Sequence, residues 1–274
     1  MLKKIILQFK LYYREFNYLS FSVFLIPISN FLTNFFALKK KIKIIDYNGK
    51  EKNISFKADN LTTHFRSHLF YSKEEEVQIF LEKYLEMNDI FFDVGANIGV
   101  FSIFAAVKKN AKVFAFEPEY SNLNLLKENI INNNLMNNIN PYSIAIGDEC
   151  RITQLHIADF TPGSAVSSIS KDQLKKTNEG YDVVWKEGVI ELTLDKIVKD
   201  LNIKPKILKI DTDGNEKNVL LGSKDLIKNN ELRFIIIEKT KKEDDFLFCC
   251  NFLKESGYRE IEKSGKRNLF WEKI

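Results

Sequence analysis

The spacing of apolar and polar positions changes period several times along the chain, and each change predicts an element. Ile42, Ile44 and Ile45 lead into the turn signal Asn48-Gly49, and Ile54 and Phe56 alternate on the return, which predicts a β-hairpin over residues 42–58. Ser72 and Glu75 have capping-box spacing, and Val77, Phe80, Leu81, Tyr84 and Leu85 recur at helical intervals, so a helix is expected to run to about Met87. From there short apolar runs alternate with helical stripes. Strands are predicted at residues 90–94, 112–116, 142–146, 207–210 and 234–237, with an extra strand at 152–157 and a terminal pair at 258–261 and 268–271. Helices are predicted over 100–108, from a cap at Ser121 with Leu123, Leu126 and Ile130 on one stripe, from near Glu216, and over 245–256. The Asn-rich run at 132–140 reads as a loop. Strands alternating with helices predict an α/β fold with a mostly parallel sheet covered on both faces.

Composition narrows the class. A chain of 274 residues, 45% hydrophobic and 28% charged, has room for one large domain or a domain with an appendage. Cys150, Cys249 and Cys250 form neither a disulfide framework nor a Cys-x-x-Cys pair, which points to a reducing, cytoplasmic setting. Charge is unevenly spread. Residues 1–60 carry eleven Lys and Arg against four acids, whereas residues 61–274 carry 30 against 33. The expected division is therefore a basic, partly apolar N-terminal arm with hairpin at 1–60 and a main domain at 61–274. A slightly acidic main domain is a poor binder of phosphate backbones, so nucleic acid is excluded as a partner. The uncharged stretch 16–38 between basic clusters carries Pro27 and seven Asn, Ser or Thr residues, which weakens a transmembrane reading. It leaves a helical arm, with peripheral membrane contact through residues 1–43 as the second reading.

Candidate chemistry centres on Asp93-Val-Gly95-Ala96-Asn97-Ile98-Gly99, between a strand and a helix. A dinucleotide turn places glycines first, third and sixth, so that a pyrophosphate approaches the backbone. Here the third position is Asn97 and the sixth Val100. The register instead fits Asp-x-Gly-x-Gly-x-Gly with Asn in the central slot, a turn that clasps a cofactor lacking phosphates. Glu117 ends the next strand, before Pro118, at the distance where an acid accepts ribose hydroxyls. His64 and His68, four apart, have no further ligands with metal spacing, and no metal is expected. A nicotinamide dehydrogenase and a non-catalytic cofactor-binding module are the rival readings.

Four segments, Phe92-Asp-Val-Gly-Ala-Asn-Ile-Gly-Val-Phe-Ser102, Ala115-Phe-Glu-Pro118, Leu192-Thr-Leu-Asp195 and Leu208-Lys-Ile-Asp-Thr-Asp-Gly214, closely resemble the FkbM family of S-adenosylmethionine-dependent methyltransferases. The resemblance covers residues 90–238. It implies a Rossmann-like class I methyltransferase fold, a mostly parallel seven-stranded sheet whose last strand is antiparallel, and S-adenosylmethionine as cofactor. It also implies that Asp93, Gly95, Asn97 and Gly99, with Ala96, line the cofactor's methionine end, Glu117 beside Pro118 its ribose, and Ala145 and Ile146 its adenine. The family usually has Glu before the glycine of its fourth-strand motif, where this chain has Asp213. Asp211, Asp213 and Glu216 are the candidate catalytic acids, for proton removal or for holding a glycan or small hydroxylated acceptor, though acids beside a helix start also serve as caps. The polar loop from Gly163 to Ser168 is a second candidate for contact with substrate.

Overall fold

The computed structural model describes residues 39–68, 74–165, 167–169, 182–240, 242–261 and 267–274. The N-terminal arm and Ser72 lie outside the described residues. Strands β1 (Lys39–Ile45) and β2 (Glu51–Lys57) form the hairpin, with Ile42 opposite Ile54. The five-residue connection is organised by the Asp46 carboxylate, which accepts from the amides of Asn48 and Lys50 at 2.9 Å each. Helices α1 (Leu61–His68) and α2 (Glu75–Tyr84) follow. The latter stops three residues short of Met87, because Leu85 turns to extended backbone.

The main body then alternates β3 (Ile90–Val94), α3 (Val100–Lys109), β4 (Lys112–Phe116), α4 (Tyr120–Asn132) and β5 (Ile139–Tyr142). A second group of strands, β6 (Ala145–Ile146), β7 (Arg151–Ile157), β8 (Ser167–Ser168) and β9 (Trp185–Leu192), precedes α5 (Leu194–Leu201), β10 (Ile207–Ile210), α6 (Glu216–Leu221) and α7 (Lys224–Lys228). Last come β11 (Phe234–Glu238), α8 (Glu243–Glu255), β12 (Tyr258–Glu260) and β13 (Asn268–Lys273). The seven-stranded sheet has the order β12-β13-β11-β10-β3-β4-β5, with β13 antiparallel to both neighbours. This is the class I methyltransferase fold. A four-stranded sheet, β6-β9-β7-β8, stands beside it.

Consecutive strand residues face opposite sides of a sheet. Adjacent Phe91 and Phe92 therefore enter different cores, which is why the central strands read as continuous apolar runs. Phe91, Val113, Ile207 and Ile236 pack under α2, α3, α4 and the hairpin. Phe92, Phe116, Leu208 and Ile235 pack under the helices from α5 to α8. Ile42, Ile44, Ile54 and Phe56 of the hairpin are buried in the first of these cores. Burying such side chains is worth about 1.5–3 kcal/mol each, and the hairpin belongs to the same compact unit as the main sheet, Lys39–Ile274.

Two local expectations need correction. The third parallel strand is Ile139–Tyr142, and the chain leaves the main sheet between Tyr142 and Ala145, so the predicted strand at 142–146 spans two sheets. The cap of α4 is Glu119, whose carboxylate accepts from the amides of Ser121 and Asn122, and not Ser121. The Asn-rich run is largely the expected loop, with turns over residues 133–138, and asparagines at and just before its start also tie elements together. Buried Asn129 and Asn133 accept from the amides of Lys57 and Ser55 at 2.9 and 2.7 Å, tying the hairpin to α4. Strand β9 and helix α5 were not legible as elements.

Candidate functional site

Four neighbouring parallel strands, β4, β3, β10 and β11, release their chain at the same edge of the sheet, where ligands bind in open α/β folds. The exits are Glu117-Pro118, the turn 95–99, the segment from Asp211 to Gly214, and Glu238. Together with Ser164, Ala165, Ser167, Ser168 and Ile169 they surround a cleft of about 830 Å³, its open mouth included.

The turn takes left-handed backbone at Gly95, Asn97 and Gly99, with φ of 78°, 50° and 88°. A Cβ on Gly95 would lie 1.7 Å from the carbonyl oxygen of Asp211, so only glycine lets this turn touch the exit of β10. Asn97 tolerates its conformation better than most residues, and its side chain anchors the turn twice. Its Oδ1 accepts from Ile98 N at 2.9 Å and its Nδ2 donates to Ser164 O at 2.8 Å. Every amide from Gly95 to Gly99 is thereby committed within the protein. Gly95 and Ala96 donate to Phe116 O, Asn97 to Glu117, Ile98 to Asn97 Oδ1, and Gly99 to Ala96 O. None of these five remains to cradle a phosphate.

Glu117 is 6% exposed. Its oxygens accept from Asn97 N at 2.8 Å and Glu119 N at 3.0 Å. Burial nevertheless pushes its acid up to about 7, against the pull of these amides. Beside it the cleft wall is apolar, formed by Phe116, Pro118, Ile144, Ala145, Ile146 and Leu155. A buried carboxylate with spare lone pairs next to an apolar wall, without a phosphate cradle, suits a nucleoside whose ribose meets Glu117 and whose base meets the wall.

On the opposite side stands a chain of charges. Lys209 sits in the middle of an apolar strand, directly opposite Asp93 in the ladder, and is 1% exposed. Its Nζ lies 3.4 Å from Asp93 Oδ1, 3.1 Å from Asp211 Oδ2 and 5.0 Å from the centre of the Phe101 ring. Asp93 is held from its other oxygen by Ser102 Oγ at 2.6 Å. Burial alone would favour a neutral Lys209, but Asp211 and Asp93 outweigh it and keep the ammonium charged. Burial likewise works to raise Asp211, yet Lys209 and a hydrogen bond with Glu238 hold it low. Glu238 is pushed up to about 9, first by burial and then by the Asp211 charge. Glu238 also accepts from Arg267 at 2.8 Å.

Asp213, at φ of 51°, is exposed at the cleft mouth. Its carboxyl is raised by desolvation against the cleft walls and then by the charges of Asp211 and Glu216, an effect damped by the solvent it meets. Glu216 turns inward. One of its oxygens accepts from Thr212 N, Thr212 Oγ1 and Gly214 N at 2.9–3.0 Å, bracing the β10–α6 loop.

Gly95, Asn97, Glu117, Pro118, Ala145, Ile146, Asp211 and Asp213 line the cleft, whereas Asp93, Ala96, Gly99 and Glu216 stand behind it as supports. Ser164, Ala165, Ser167 and Ser168 of the polar loop also line it. His64 and His68 both lie on α1, and no group of three or more His, Cys, Asp or Glu among the described residues is arranged to hold a metal ion. Lys209, Glu238 and Arg66 were missed from the sequence. A lysine inside the apolar run Ile-Leu-Lys-Ile, and an acid at the tip of Phe-Ile-Ile-Ile-Glu, were the signals for the first two.

Fold and cleft together define a class I methyltransferase architecture. The Methyltransferase FkbM domain model matches residues 93–260, more than half of the chain, and the chain belongs to this family. Among curated proteins, hexuronic acid methyltransferase AglP from Haloferax volcanii is 26% identical over 170 residues, 61% of this chain and 62% of that protein. The chain thus matches less than two thirds of that relative's length. Solved structures with partial likeness include precorrin-6y C5,15-methyltransferase from Geobacter metallireducens, at 16% identity over 74% of this chain and 90% of that one, TM-score 0.44. Another is Aeropyrum pernix fibrillarin with S-adenosyl-L-methionine bound, at 8% identity, 85% and 82% coverage and TM-score 0.48. Among the described residues no helix is long and apolar enough to cross a membrane.

Proposed function

We propose that this protein transfers a methyl group from S-adenosylmethionine to a hydroxyl oxygen of a glycan or small hydroxylated acceptor. The observation that carries the cofactor assignment is the closed set of amides at residues 95–99, set against the buried Glu117 at the tip of β4. That combination favours a ribose without a pyrophosphate and disfavours a nicotinamide dinucleotide. Gly95, Asn97, Glu117, Ala145 and Ile146 would hold the cofactor, with Asp93, Ala96, Gly99 and Pro118 shaping their positions. The sulfonium supplies an already activated methyl group, so alignment is the protein's main task, and placement alone lowers such barriers by about 7–11 kcal/mol at best.

Asp211 is the base in this reading. A hydroxyl oxygen becomes positive as it gains a methyl, its proton turns strongly acidic, and a carboxylate of low basicity is enough to take it. Lys209 keeps Asp211 ionised, and the upward shift of the Glu238 acid beside it favours one negative charge on the pair over two. Asp213, at the mouth, is the candidate for hydrogen bonds to the acceptor, and Glu216 keeps the loop between them in place. The curated relative's name, a hexuronic acid methyltransferase, supports a sugar-like acceptor. A non-catalytic module would have no need of a buried lysine–carboxylate pair beside the cofactor. The test is calorimetry. S-adenosylmethionine and S-adenosylhomocysteine should bind and NAD should not; NAD binding with no response to the sulfur nucleosides would overturn the assignment.

A further inference from the structure

Arg66, in the last turn of α1, lines the same cleft. Its Nε donates to Gly163 O, which fixes the guanidinium against the loop. That loop is itself firmly seated. Gly163 N donates to Asn122 Oδ1 at 2.7 Å, Asn60 Nδ2 donates to Pro162 O at 3.1 Å, and Ser164 O accepts from both Asn97 Nδ2 and Asn122 Nδ2. The two terminal guanidinium nitrogens have no hydrogen bond or ion pair among the described residues. Three acids of the cleft, Glu117, Asp211 and Asp213, feel the Arg66 charge, and none touches it. Arg267, the other arginine of the cleft, differs in this respect, for it is bonded to Glu238 and stands 3.8 Å from Glu74.

A second group is unmet beside it. Ser164 is 8% exposed and lines the cleft, yet its Oγ has no hydrogen-bond partner. Buried hydroxyls are normally paired. A fixed arginine fork with two free nitrogens matches a planar carboxylate better than any neutral group, and a hydroxyl on the residue after Gly163, lining the same cleft, can supply a further donor.

We propose that Arg66, assisted by the Ser164 hydroxyl, is a carboxylate-binding site within the cleft, and that its ligand is a carboxylate of the reaction's own participants. That carboxylate belongs either to the amino-acid tail of the cofactor or to an acidic sugar acceptor. The inference rests on the cofactor and acceptor classes proposed above and adds to them the group that orients one of the two.

Binding measurements on the full chain separate the sources without an activity assay. The probes are S-adenosylhomocysteine, 5′-methylthioadenosine, which keeps the nucleoside but lacks the amino-acid tail, and then glucuronate and glucose titrated into protein saturated with S-adenosylhomocysteine. Arg66→Gln keeps an amide donor for Gly163 O and removes the fork. If the cofactor tail is the ligand, this variant weakens S-adenosylhomocysteine by about 10- to 100-fold, the range for a charged hydrogen-bond pair, and leaves methylthioadenosine unchanged. If an acidic acceptor is the ligand, both nucleosides keep their affinity, wild type prefers glucuronate to glucose, and the variant loses that preference. Ser164→Ala, which spares the loop's backbone bonds, should give a weaker version of the same pattern and carries the test if Arg66→Gln misfolds by circular dichroism. The proposal is overturned if the folded variants leave all these affinities unchanged, or if they weaken both nucleosides equally. Failure of wild type to bind either nucleoside would instead overturn the cofactor assignment, and glucuronate titrated into the protein alone would then decide on Arg66.

Discussion

Ionisation of Glu117 offers a quantitative test, because its acid is raised to about 7, inside the range where proteins are handled. Ribose hydroxyls donate to a carboxylate far better than to a carboxyl, so the ionised form is the one expected to bind the nucleoside. With an acid near 7, about one molecule in eleven is ionised at pH 6 and about ten in eleven at pH 8, from the titration relation. S-adenosylhomocysteine affinity should therefore fall roughly tenfold from pH 8 to pH 6, and binding near neutrality should release a proton. Glu117→Gln retains one acceptor oxygen but opposes its NH2 group to the amide of Asn97 or Glu119. It should weaken binding by about 1–3 kcal/mol at pH 8 and abolish the slope between pH 6 and pH 8. Calorimetry in two buffers of different ionisation enthalpy measures both affinity and proton release. The sign for stability is the reverse. The folded acid is raised above its unfolded value, so the folded chain binds more protons between about pH 4.5 and 7, and Glu117 lowers stability as pH rises through that window. A flat wild-type binding profile, or an unchanged slope in Glu117→Gln, would refute the placement of this acid at the ribose.

Gly95→Ala should lower stability by at least about 1–2 kcal/mol from the left-handed backbone alone, and more because the added methyl meets Asp211 O, with a matching loss of S-adenosylhomocysteine affinity; denaturant titration and calorimetry measure the two, and a stable, tight-binding variant would show that the turn does not press on β10. Asp211→Asn should lower turnover by about 100-fold or more with S-adenosylhomocysteine affinity little changed, measured by release of that product once an acceptor is in hand; full activity would remove Asp211 as base. Removal of residues 1–38 should leave nucleoside binding intact, since every described cleft residue follows them, and should reduce co-sedimentation with anionic vesicles if the basic arm touches lipid; equal sedimentation would reject that contact.

The main sheet was legible because its strands are buried on both faces, so Phe91-Phe92 and Ile235-Ile236-Ile237 appear as uninterrupted apolar runs. Gly95, Asn97 and Glu117 were legible because their chemistry is local to two strand tips. Strand β9 was not, for Trp185 and Ile190 are more than half exposed at 54% and 53%, and its alternation with Lys and Glu resembles a solvated loop. The Asn-rich run was legible as a loop but its anchoring was not, because composition is silent on whether an asparagine amide finds a backbone partner, and Asn133 finds Ser55 across 78 positions. Arg66 was invisible for the same reason. Its partner Gly163 is 97 positions away, and only the packing of α1 against the loop that holds Asn97 brings them together.

Transfer itself is the most direct test of the account. The protein should be incubated with tritium-methyl-labelled S-adenosylmethionine and a panel of neutral and acidic sugars and oligosaccharides, with label in the sugar and S-adenosylhomocysteine counted together. The proposed transfer requires equal amounts of methylated sugar and S-adenosylhomocysteine for at least one hydroxylated acceptor, with both lost in Asp211→Asn. Tight S-adenosylmethionine binding without label in any acceptor would contradict it and favour a cofactor-binding module.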